Sequence, residues 1–185
     1  MSRKTVALIV ALVCLLVAAG MLPVLGQLSE QALRELKRRP LEGLGGVCVV
    51  VDDIQPLGAR RLLDSAALQA SAEQRLQAAG IQVLTPAEIA ESPGSPCLRV
   101  KVYCTSTRDA NDKELWACAM RVELKESVKL ERRPGMVCTA TTWDASGIRM
   151  GVSGPEMLAH MVNNVVVTKS VDEFANDYLA ANPKE

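Results

Sequence analysis

Two stretches of alternating side chains, separated by a polar turn, constrain the fold of this chain more than any other feature. Every second residue is apolar in residues 98–104 and again in residues 116–124. The apolar positions are Leu98, Val100, Val102 and Cys104 in the first stretch, and Trp116, Cys118, Met120, Val122 and Leu124 in the second. A strand directs successive side chains to opposite faces. The pattern therefore predicts a long antiparallel hairpin with one buried face and one solvated face.

Shorter patterns on both sides of this hairpin predict the other elements of the fold. Strands are predicted at residues 47–51, 81–84 and 136–143, where short segments rich in apolar or β-branched residues lie between turn signals. Helices are predicted at residues 59–79, ended by Gly80, and at residues 86–92, opened by a capping box from Thr85 to Glu88. The glycine-rich residues 144–154 are predicted to form a loop.

The last predicted element is a helical segment from residue 155 onward. Capping-box spacing occurs at residues 153–156 and again at residues 170–173, so one helix and two helices both remain open. The element order β-α-β-β-β-β-α predicts an α+β fold: a single antiparallel-dominated sheet of about five strands with helices packed on one face. The first crossover could pair residues 47–51 and 81–84 as parallel strands.

The N-terminus has the layout of a secretory signal. A short basic start with Arg3 and Lys4 precedes the uncharged residues 5–22, and residues 24–26 suit cleavage before Gln27. The uncharged run has 18 residues, which is also just long enough for a membrane helix, so an uncleaved anchor in the inner membrane is the alternative. We therefore divide the chain into a signal peptide or membrane anchor (1–26), a charged connector (27–45) and a single α/β domain (46–185).

This layout predicts that the protein works in the periplasm or cell envelope after export. Residues 27–185 contain 19 basic and 21 acidic residues, because the 21 basic residues of the chain include Arg3 and Lys4. Aromatic residues make up only 3% of the chain. A near-neutral domain with few stacking side chains argues against a nucleic acid as partner. A membrane could be contacted through residues 5–22 and, if the protein is anchored there, residues 34–39 would lie near lipid.

Five cysteines remain after residue 26, namely Cys48, Cys97, Cys104, Cys118 and Cys138. An odd number leaves at least one free thiol in an exported protein. Cys104 and Cys118 point to the same face of the hairpin, and a turn near residues 110–113 would place them opposite each other, which makes them a candidate disulfide. The alternative is that these cysteines are small core residues.

We find no catalytic, cofactor-binding or metal-ligating set in the sequence. His160 is the only histidine, and none of the cysteines form a C-x-x-C pair. Asp52 and Asp53 follow a strand but would point in opposite directions, and the glycines at 43, 45 and 46 precede the strand, where they cannot cradle a phosphate. No metal or other cofactor is therefore predicted.

The solvated face of the hairpin is the candidate binding face. It carries four basic side chains, Arg99, Lys101, Arg121 and Lys125, together with Glu123. A mildly basic face could bind an envelope polymer or a partner protein. The alternative is an ordinary charged sheet surface that resists aggregation.

Three further stretches resemble small exported bacterial α/β proteins. They are residues 57–81, which include EQRL and AAGI, residues 139–143 (TATTW) and residues 171–179 (VDEFANDYL). The order of elements is similar to the N-terminal domain of the TolB translocation protein and to the lipopolysaccharide-assembly lipoprotein. The resemblance implies a small envelope domain that binds other macromolecules, and it transfers no catalytic residues.

The sequence therefore predicts a non-enzymatic cell-envelope protein that acts by binding a protein or an envelope polymer. Two alternatives remain open. One is a thiol-dependent enzyme or redox protein, and the other is a membrane-anchored structural subunit.

Overall fold

The predicted hairpin forms the middle of a five-stranded mixed sheet. The computed structural model describes residues 31–183 except 53, 146 and 147. The strands are β1 (Cys48–Val51), β2 (Cys97–Arg108), β3 (Glu114–Lys129), β4 (Val137–Asp144) and β5 (Arg149–Ser153). Their order is β1-β2-β3-β4, and β5 also pairs with β3. β1 runs parallel to β2, whereas the other pairings are antiparallel. The α+β class and the antiparallel-dominated sheet are thus confirmed.

The helical elements lie before, between and after these strands. They are α1 (residues 31–38), α2 (Ser65–Ala78), α3 (Pro86–Glu91), α4 (Pro155–Asn163) and α5 (Asp172–Ala181), with 3₁₀ turns at Arg39–Leu41 and Leu57–Arg61 and a π-helical segment at Asn164–Val171. The chain divides into two compact units, Met1–Arg39 and Pro40–Glu185. The second unit contains the whole sheet and the helices from α2 onward.

The core of the second unit lies between the sheet and its helices. The alternating apolar residues of β2 and β3 are buried, as the hairpin pattern predicts. Phe174 of α5 packs edge-on against Trp143 of β4, with 5.1 Å between ring centroids, and Trp143 Nε1 donates to the buried Asp177 carboxylate. Arg75 of α2 makes two hydrogen bonds to Asp172 of α5. These contacts place α2 and α5 on the same side of the sheet.

The local end signals around α2 and α3 are confirmed. Gly80 has φ +77°, and the N–H groups of Gly80 and Ile81 donate to the last carbonyls of α2. Thr85 and Glu88 form both hydrogen bonds of a capping box at the start of α3. The start of α2 was missed, because Asp64 caps it at Ser65 and the preceding residues form a 3₁₀ turn instead of the predicted helix.

The predicted strand at residues 81–84 is wrong. Only Val83 bridges to Val47, in parallel, and the chain then enters α3. The parallel partner that the crossover brings to β1 is β2. A four-residue segment with three apolar residues and one polar residue, Gln82, predicts partial burial but does not identify its neighbour, so the sequence could not decide between these two pairings.

The predicted loop at residues 144–154 contains the fifth strand. β5 pairs with residues 116–120 of β3, the half of β3 that β4 leaves unpaired. Gly151 is tolerated in this strand because Met161 of α4 packs directly over it, and a Cβ there would lie 2.4 Å from Met161 Sδ. The glycine that indicated a loop in the sequence therefore marks a close approach between a helix and a strand.

Neither capping-box spacing in the C-terminal segment forms a capping box. α4 is capped at Gly154 without a side-chain bond, and the backbone stays helical through Val171 and Asp172. Ser170 and Glu173 instead bind Arg149 of β5, at 3.1 and 2.8 Å. The polar residues that resemble a helix start therefore make tertiary contacts, and the helical conformation runs unbroken from α4 to α5.

The predicted signal or anchor at residues 1–26 lies outside the described residues. Within residues 31–183, as far as they are described, no helix is both long and apolar enough to span a membrane.

Two neighbouring glycines provide a matched test of the packing before β1. A Cβ on Gly46 would lie 2.6 Å from the carbonyl oxygen of Gln82, whereas a Cβ on Gly45 meets nothing within 4 Å. We expect Gly46→Ala to lower the free energy of unfolding by about 1–3 kcal/mol, because backbone would have to move. Gly45→Ala should change it by less than about 0.5 kcal/mol. Urea denaturation measures both, and equal losses would contradict this packing.

Candidate functional site

The sheet face opposite the packed helices holds the predicted binding residues. We call it the open face. It carries the side chains that alternate with the buried ones, beginning with Arg99, Lys101 and Tyr103 on β2. The structure brings all four predicted basic residues together on this face, because Lys101 lies opposite Arg121, and Arg99 lies opposite Glu123.

Each of the four basic residues is paired with a carboxylate on the same face. The seven residues of this charged cluster are Asp52, Arg99, Lys101, Arg121, Glu123, Lys125 and Asp144. Arg99 donates to Asp52, with 2.9 Å from its Nε to Oδ1, and Arg121 donates to Asp144 at 3.0 Å. Four cations facing three carboxylates leave little unbalanced positive charge.

Glu123 is the centre of the charged cluster. Its side chain is nearly inaccessible, with the residue only 3% exposed, and its carboxylate lies 2.5 Å from Lys101 Nζ and 3.5 Å from both Lys125 and Arg121. Burial by itself raises the pKa of Glu123. The hydrogen bond from Lys101 and the three cationic charges outweigh burial and hold the pKa below its ordinary value. The surrounding cations therefore stabilise the ionised carboxylate in the folded protein.

An exposed apolar patch lies on the same face beside the charged cluster. Tyr103, Ala119 and Met150 form one row across β2, β3 and β5, and Ala117 pairs with Val152 in the next row. Met150 is 80% exposed, Val152 65% and Tyr103 55%. The sequence did not predict this patch, because the glycine-rich residues 144–154, which include Met150 and Val152, indicate a loop. Their alternation with Arg149, Gly151 and Ser153 is the signal that could have identified β5.

Cys104 and Cys118 form a disulfide across the hairpin, with an S–S distance of 2.03 Å. Both residues are buried on the helix side of the sheet. The structure also places Cys48 opposite Cys97 on β1 and β2, with 2.7 Å between the two sulfurs, and both are free thiols. The sequence did not predict this second pair, because its two members become neighbours only through the parallel pairing of β1 and β2.

The other polar residues singled out in the sequence do not converge on a catalytic arrangement. Asp52 binds Arg99, and Asp53 lies outside the described residues. His160 is an exposed residue of α4 that lines a shallow groove of about 350 Å³ with Asp64 and residues of α2. In the described part of the chain, no three histidine, cysteine or carboxylate side chains lie close enough together to hold a metal ion.

The chain matches no protein-family model, and no curated protein matches it significantly. The resemblance to small exported bacterial proteins therefore stays a prediction from the sequence.

The charged cluster makes a testable contribution to stability. Glu123→Gln leaves three cations without their shared carboxylate, so we expect a loss of about 1–3 kcal/mol in the free energy of unfolding at neutral pH. Folding lowers the pKa of Glu123, so its ionised carboxylate stabilises the protein fully at a pH above 4.5, the ordinary pKa of a glutamate side chain. This stabilisation is lost as the pH falls through the lower pKa of the folded state. Urea denaturation of both proteins between neutral pH and pH ~3 should show the difference shrinking below pH ~4.5.

The exposed Glu114 on the same strand is the matched control. Glu114→Gln should change the free energy of unfolding by less than about 0.5 kcal/mol. A Glu123→Gln loss that is independent of pH would show that the cluster does not stabilise the protein through the charge of Glu123.

Proposed function

We propose that this protein is a non-enzymatic cell-envelope protein that binds a partner protein through the open face of its sheet. The observation that carries the proposal is the exposed apolar patch of Tyr103, Ala117, Ala119, Met150 and Val152. Contiguous exposed apolar surface on a folded protein is typical of an interaction site. The charged cluster beside it provides the polar rim that such interfaces have.

The pairing of charges favours a protein as partner over an anionic envelope polymer. A polyanion would need cations that are available to it, whereas Arg99, Lys101, Arg121 and Lys125 already contact carboxylates of the same face. A protein surface can instead bury the apolar patch and match the alternating charges next to it.

The position of the patch indicates how a partner could bind. β5 has β3 as its strand neighbour, and none of the described strands pairs with its second edge. An extended segment of a partner could add to this edge through backbone hydrogen bonds. Its side chains would then pack beside Met150 and Val152, which supply the apolar contact.

The proposed location depends on the N-terminal sequence and agrees with the cysteine chemistry. A signal-like start favours export, and the disulfide between Cys104 and Cys118 is the kind of bond that persists in an oxidising compartment. A membrane-anchored structural subunit remains the alternative if residues 5–22 are retained.

Photo-crosslinking in cells tests the proposed interface. We place the photoreactive residue p-benzoylphenylalanine at position 150 or 152, and at position 157 of α4 as the control, because Met157 is also exposed but lies on a helix. Specific adducts are expected from positions 150 and 152 only. With the partner purified, Met150→Glu should weaken binding at least tenfold, and Met157→Glu should leave it unchanged, since only the first places a charge in the apolar patch. Adducts of equal yield from all three positions, or none from the patch, would contradict the proposal.

Intact mass tests the proposed location. The chain recovered from the cell envelope is expected to begin at Gln27 and to be released without detergent, because a cleaved signal leaves no membrane anchor. A full-length chain that stays in the membrane fraction after a high-salt wash would support the anchored alternative. A full-length chain in the cytosol would contradict both.

A further inference from the structure

Two free thiols face each other where β1 and β2 begin. Cys48 and Cys97 are directly paired in the parallel register, and their sulfurs are 2.7 Å apart. Neighbouring strands lie ~4.8 Å apart, which is within the Cα separation that a disulfide spans. This geometry means that the two sulfurs can form a bond without a rearrangement of the strands.

Both cysteines line grooves in the surface. Cys48 lines a groove of about 580 Å³ along the outer edge of β1, with Glu73 of α2 and Thr85 before α3. Cys97 lines a separate groove of about 340 Å³ on the open face, with Arg99 and Lys125. Both residues are half-buried, unlike the buried Cys104 and Cys118. A small reagent can therefore approach the pair from two sides.

The surroundings of the pair make its two sulfurs chemically different. The hydrogen bond between the two sulfurs lowers the pKa of Cys48, burial opposes this effect, and the charge of Arg99 lowers the pKa by a smaller amount. The same hydrogen bond raises the pKa of Cys97, and burial adds to this. Cys48 also lines the larger of the two grooves, so we assign it as the thiolate that attacks first and Cys97 as the thiol that follows.

We propose that Cys48 and Cys97 are a redox-active dithiol that exchanges with disulfides of low molecular mass. In the first step the Cys48 thiolate attacks one sulfur of a small disulfide, forms a mixed disulfide and releases one small thiolate. In the second step Cys97 loses its proton to solvent and attacks the Cys48 sulfur, which releases the second small thiolate. The protein dithiol gives up two electrons and two protons, and the small disulfide is reduced to two thiols. Small dithiols reverse the reaction.

The full-length chain, incubated folded in glutathione buffers of increasing oxidised fraction, tests this reaction. Alkylation followed by peptide mapping should show a Cys48–Cys97 linked peptide that rises with oxidised glutathione and disappears with dithiothreitol. Phenylarsine oxide, in which one arsenic atom binds two thiolates, should bind at one equivalent and protect both cysteines from alkylation. Mapping assigns each product to its cysteine, so Cys14 and Cys138 do not interfere.

Three single variants separate the pair from an isolated thiol. Cys97→Ser should accumulate a stable mixed disulfide at Cys48 and lose arsenical binding, and Cys48→Ser should lose both the linked peptide and arsenical binding. Cys138→Ser is the matched control, because Cys138 is another half-buried free thiol, and it should behave as the unsubstituted protein.

Measurements on the unsubstituted protein decide the proposal even where a variant fails to fold. Mixed disulfides at Cys48 and Cys97 without a linked peptide would overturn it. So would the absence of any reaction at these residues while Cys138 reacts.

Discussion

The register of the hairpin between β2 and β3 fixes which side chains enter the core and which face solvent. Twelve residue pairs, from Cys97 opposite Lys125 to Arg108 opposite Glu114, align the two strands without a shift. Strand side chains alternate, so a slip by one residue would move the apolar set to the solvated face. The observed register buries Leu98, Val100 and Val102 against the helices, and it sets Cys104 opposite Cys118.

The same register creates two different environments on the open face. Toward one end, opposite and diagonal pairing brings Lys101, Arg121 and Lys125 around the buried Glu123, so the charges are satisfied within the sheet. Toward the other end, β5 completes a row with Met150 and Val152, where apolar side chains meet solvent. The apolar patch is thus the part of the open face whose side chains are exposed to solvent, whereas the basic residues beside it already contact carboxylates.

Helix ends were predicted correctly where their backbone hydrogen bonds are made by residues close by in the sequence. Gly80 ends α2 with a positive φ, and Thr85 with Glu88 opens α3, because these interactions involve residues only a few positions apart. The same kind of signal failed at Ser170 and Glu173. Arg149 from another strand binds both side chains, and a tertiary contact therefore replaced the capping bond.

The hairpin, the class of the fold and the four basic residues of the open face follow from the amino-acid sequence, because alternation with a period of two residues is a local property. Long-range packing, in contrast, pairs β1 with β2, makes residues 149–153 a strand and gives each basic residue a carboxylate partner. The same packing brings Cys48 next to Cys97 across a separation of 49 residues. Local periodicity indicates which side of a segment is buried. It does not indicate which distant segment packs against that side, because this pairing depends on the packing of the whole domain.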